Sequence, residues 1–61
     1  MEKIAYLQIL DHAINCVIYN GGRPDSAVTI PRKDWYDIPY MLKGFQERNI
    51  SIRFSDPPRF S

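Results

Sequence analysis

KIAYLQILDHAINCVIY, residues 3–19, is the stretch whose reading decides the fold. Read as alternating positions, Lys3 to Leu10 and Ile14 to Tyr19 are two strands of a hairpin that turns at Asp11-His12-Ala13. The β-branched and aromatic side chains of Ile14, Val17, Ile18 and Tyr19 favour that reading, because they fit a pleated, half-buried surface. Read with helical spacing, Ile4, Leu7, Leu10, Ile14, Val17 and Ile18 share one face, and Asn20-Gly21 supplies a C-terminal stop. The preferred strand reading gives the order β-β-β-α-β; the helix reading gives α-β-α-β.

The second half is easier to read. Ile38, Met41, Leu42 and Phe45 fall at i, i+3, i+4 and i+7, and Trp35 extends the stripe backwards by three. Pro39 belongs in a first helical turn, where its missing amide has no intrahelical partner, and Asp37 is placed to accept hydrogen bonds from the first free amides. Arg48 suits the negative helix end and Asn49 tolerates the left-handed conformation that closes it, so the helix spans about 38–48. Because proline disfavours helical geometry in the residue before it, Arg32 to Tyr36 is expected as a separate turn or short 3₁₀ piece. Gly44 in mid-helix marks either a close approach or a weak helix.

Strands flank this helix. Ile50, Ile52 and Phe54 alternate with Ser51, Arg53 and Ser55, a period of two with one apolar face. Ala27-Val28-Thr29-Ile30 is short and β-branched, bounded by the turn-rich Asn20-Gly21-Gly22-Arg23-Pro24-Asp25-Ser26 and by Pro31, which ends the strand or puts it at an edge. The expected fold is α+β: a small, mainly antiparallel three- or four-stranded sheet with one helix on one face, in a single domain over 1–55. Asp56-Pro57-Pro58-Arg59-Phe60-Ser61 is expected as an extended C-terminal tail, because two consecutive prolines remove two ladder donors.

The 61 residues carry eight Lys+Arg against seven Asp+Glu, with one Cys and one His. One Cys excludes an internal disulfide, and Cys16 with His12 falls short of the four ligands of a structural zinc site; no metal or cofactor is expected. A domain this small is marginal, so association with a partner or a homodimer is the expected support. The net charge of +1 gives no strong long-range pull toward nucleic acid. The N-terminus does not resemble a secretory signal, and the longest apolar run, Cys16-Val17-Ile18-Tyr19, is far too short to span a bilayer, so a cytoplasmic protein is expected.

Enzymatic chemistry finds little material. His12 and Cys16 would share a face only on a helix, Asp34 and Asp37 are better suited to helix-start amides than to an acid pair, and Gly21-Gly22 lacks the rest of a phosphate loop. The chain is expected to be non-catalytic. Arg32, Trp35, Tyr36 and Tyr40, with Arg23 nearby, mix cations with rings and are the candidate partner-binding residues, since Tyr, Trp and Arg dominate protein–protein hot spots. If Trp35 belongs to the core, only Tyr36 and Tyr40 remain exposed. The expected function is a protein-binding module, an inhibitor or adaptor of the kind mobile elements or viruses encode, docking by edge-strand addition or through this ring surface. The alternative is a nucleic-acid-binding module using Arg32, Lys33, Arg48 and Arg53 with stacking by Tyr36 and Tyr40.

Overall fold

The computed structural model describes residues 2–55, and the expected 56–61 tail lies outside them. Residues 3–19 are strands. β1 (Lys3–Ile9) and β2 (Ala13–Asn20) form an antiparallel hairpin, β3 (Arg23–Pro31) adds antiparallel to β2, a 3₁₀ segment (Arg32–Asp37) runs into α1 (Ile38–Glu47), and β4 (Ile50–Arg53) returns parallel to β1. The four strands form one mixed sheet in the order β3-β2-β1-β4. The β3 to β4 connection joins the two outer strands, which run in the same direction, and that requires a crossover of the kind a helix supplies.

Alternation sorts the side chains. The register sets Leu7 opposite Cys16 and Ala5 opposite Ile18 on one face, and Tyr6 opposite Val17 on the other. The helix covers the first face. Ala5, Leu7, Ile14, Cys16, Phe45 and Ile50 form the buried cluster, with Ile18, Trp35, Ile38, Met41, Leu42 and Ile52 packed around it. The helical stripe read from sequence is therefore the face that α1 buries. Leu7 and Cys16 are the largest fully buried side chains, a core of the modest size expected for this length. On the opposite face the rings of Tyr6 and Tyr19 meet edge-on, with centroids 5.3 Å apart.

Local chemistry explains most boundaries. Gly21 and Gly22 both have positive φ, 62° and 85°, which is the twist a two-residue hairpin needs to match its strands, and it lets β3 start directly at Arg23. β3 is consequently nine residues long, well beyond the expected 27–30. Pro24 is tolerated near the start of this outer strand, and a register shift opposite Ile18/Tyr19 absorbs an extra β3 residue as a bulge. Asn49 takes the left-handed conformation, φ 59°, that ends α1.

Two local expectations are corrected. Asp37 makes no side-chain cap bond, because it is itself helical (φ −83°, ψ −11°) where the 3₁₀ segment enters α1. Ile38 also stays helical despite preceding Pro39, at φ −57° and ψ −44°. Beyond the adjoining backbone of its own helix, nothing lies within 4 Å of where a Cβ on Gly44 would stand, so this glycine serves no close approach.

Candidate interaction surface

The 3₁₀ segment is fastened to the sheet at its start. The Arg32 amide donates to the His12 carbonyl at 3.0 Å, and its guanidinium Nη1 donates to the Asp11 carbonyl at 3.1 Å, tying the segment to the β1–β2 turn. Trp35 Nε1 donates to the Ile30 carbonyl at 3.2 Å, and the Arg32 guanidinium lies 5.3 Å from the Trp35 ring centre, a cation–π distance. Trp35 is half-buried against the core cluster. Arg32 and Trp35 thus hold the segment in place through internal contacts.

Tyr36 and Tyr40 have a different position. They are 72% and 76% exposed, one turn apart where the 3₁₀ segment passes into α1. Arg23 does not join them. It begins β3 while Arg32 follows its last residue, a separation of roughly 30 Å at the usual strand rise. The cations of the nucleic-acid alternative are dispersed as well: Arg32 and Lys33 at the 3₁₀ segment, Arg48 beyond the far end of α1, and Arg53 opposite Tyr6 on the sheet face away from the helix.

His12 is exposed in the β1–β2 turn and Cys16 is buried in mid-β2, so the strands pull apart the pair that a helix would have joined. Burial raises the Cys16 thiol above its ordinary 9.0, which leaves it a neutral packing group. Among the described residues no three His, Cys, Asp or Glu side chains cluster as metal ligands, and no helix is long and apolar enough to cross a membrane.

The sequence allows β3 to lie at an edge; its extent from Arg23 and the residues whose backbone groups face outward come from the structure. The Arg32 amide bond to His12 makes Ala13 and Pro31 a pair without direct ladder bonds, so alternation assigns the inward bonds to Ser26, Val28 and Ile30. The N–H and C=O groups of Ala27 and Thr29 therefore point away from the sheet. Val28 is 51% exposed, and beside it runs a groove of about 300 Å³ lined by Val28, Ile30, Pro31, Met41, Asp34 and Asp37. Asn20-Gly21-Gly22 was the available signal, since a two-residue turn there starts the strand at Arg23. A second depression, about 380 Å³, lies against Gln8, Asn15, Val17, Ala27 and Thr29, where Thr29 Oγ1 donates to Asn15 Oδ1 at 3.0 Å.

No protein-family model matches this chain, and comparison with curated proteins and with solved structures finds no match.

Proposed function

We propose that this chain is a non-catalytic protein-binding module, an inhibitor or adaptor that docks on a larger protein, with Tyr36 and Tyr40 as its anchors. The observation that carries this reading is the division of labour within one short segment. Arg32 and Trp35 are held by internal contacts, whereas the two tyrosines project from the positioned backbone with most of their ring surface in water. Exposed rings on a fixed backbone bury large area on binding at small entropic cost. The scatter of Arg32, Lys33, Arg48 and Arg53 favours a protein partner over nucleic acid, which needs a continuous basic track. The buried free thiol of Cys16 suits a reducing compartment, and the cytosol is the proposed location.

The test is photo-crosslinking in the cells that make the protein, with a benzophenone amino acid at Tyr36 or Tyr40 and a control at Ser51 on the opposite sheet face. A discrete protein adduct from positions 36 and 40, absent from 51, supports the reading. Nuclease-sensitive adducts would replace it with the nucleic-acid alternative, and equal adducts from all three positions would remove it.

A further inference from the structure

We infer that β3 is a self-pairing edge, and that two copies of this chain join through antiparallel β3 strands about a twofold axis at Val28. Natural sheet edges are usually guarded by charges, especially lysine, or by covering elements. Ser26-Ala27-Val28-Thr29-Ile30 carries no charge, and all but Ile30 are exposed. The free run is also symmetric. Asp25 to Pro31, the residues between Pro24 and Arg32, have Val28 as their midpoint.

That midpoint selects the register. With Val28 opposite Val28, Ala27 of each copy faces Thr29 of the other, and the outward N–H and C=O groups of both residues exchange four hydrogen bonds. Asp25 then faces Pro31 of the second copy, which has no N–H, and the new ladder ends there. The half-exposed Val28 side chains meet beside the groove lined by Ile30, Pro31 and Met41, so apolar surface leaves water together with the ladder groups.

Charge points to the same occupant. Arg23 pairs with Asn20 and so lies on the helix-bearing face. The twofold carries it toward the second copy's 3₁₀ segment, where Asp34 and Asp37 line the groove. Among the described residues none of these three makes an ion pair. This assigns Arg23 a role that its distance from Tyr36 and Tyr40 rules out within one copy. The surface is separate from the tyrosine anchors and stands or falls without them.

Sedimentation equilibrium of the full chain, from micromolar to millimolar, tests the pairing. A reversible monomer–dimer equilibrium is expected. Val28→Lys, and a synthetic chain with an N-methyl group on the Ala27 amide, should each weaken it at least about tenfold while keeping the far-UV circular dichroism of the unmodified chain. The methyl group removes a donor that makes no ladder bond inside one copy, so this chain decides the matter should Val28→Lys fail to fold. Arg23→Asp should weaken the dimer and the double change Arg23→Asp, Asp34→Arg should recover it. Tyr36→Ala with Tyr40→Ala should leave it unchanged. A monomer at millimolar concentration, or a dimer indifferent to both the methyl group and Val28→Lys, overturns the inference.

Discussion

β2 and β3 are neighbours of nearly equal length, eight and nine residues, yet they have opposite physical situations. β2 is bonded on both sides, and none of its residues is exposed. β3 is bonded on one side, and only Ile30 is partly covered. Both strands contain β-branched side chains, so propensity does not separate them. Position does: α1 covers the middle and the β4 side of the sheet, while β3 is reached by the 3₁₀ segment, the Trp35–Ile30 hydrogen bond and, across an open groove, Met41. The difference teaches that this short chain invests its apolar surface in the β2–β1–β4 side and leaves the other edge open for contact.

The contrast is broken most easily at the core. Leu7→Ala removes a side chain that is 2% exposed and should cost about 3 kcal/mol or more, enough to unfold much of so small a domain. Val28→Ala should cost less than about 1 kcal/mol at dilutions where single copies prevail. Urea melts of the two variants check this, and similar losses would mean that β3 is covered after all.

Smaller changes sharpen the contrast within the 3₁₀ segment. Trp35→Phe removes the Nε1 hydrogen bond to Ile30 and should lower stability by about 1 kcal/mol, whereas Tyr36→Ala or Tyr40→Ala should stay within about 0.5 kcal/mol of the unmodified chain. Equal effects from all three would erase the distinction between anchored and projecting rings. Gly44→Ala should raise the melting temperature, with a gain of roughly 0.5–1 kcal/mol, because helical backbone is stiffened and no neighbour obstructs the new methyl group. The weakest effect concerns Cys16. Its folded thiol titrates above 9.0, so the unfolded chain loses the proton first and stability should fall as pH rises past about that value. Cys16→Ala should flatten this part of a stability–pH curve, although alanine also leaves a small cavity.

Much of the fold is legible in the residues themselves. The i, i+3, i+4, i+7 stripe of Ile38, Met41, Leu42 and Phe45 marks the buried helix face because one helix on one sheet has a single apolar side to satisfy. The alternation of Ile50 and Ile52 marks β4 for the same reason. Residues 3–19 were ambiguous, because a run with apolar residues on both strand faces also populates a helical face. Ile4 and Val17 lie with Tyr6 and Tyr19 on the sheet face away from α1, and with Leu7, Ile14 and Ile18 of the core face they complete the false helical stripe. The early start of β3 was hidden because Pro24 and Asp25 are turn residues by composition, while the positive φ of both Gly21 and Gly22 completes the turn before them. Of the candidate surface, Tyr36 and Tyr40 follow from placing Trp35 in the core. The separation of Arg23 from them depends on strand length, and the outward groups of Ala27 and Thr29 depend on register, which no single residue encodes.

Backbone amide hydrogen exchange along β3, followed from dilute to concentrated protein, tests most directly whether one strand is sealed and its neighbour open. In dilute solution Ser26, Val28 and Ile30 should be protected and Ala27 and Thr29 should exchange freely; as concentration rises, Ala27 and Thr29 should become protected in step with dimer formation. Free exchange of Ala27 and Thr29 at every concentration, or protection of both in isolated copies, would contradict this description of the edge.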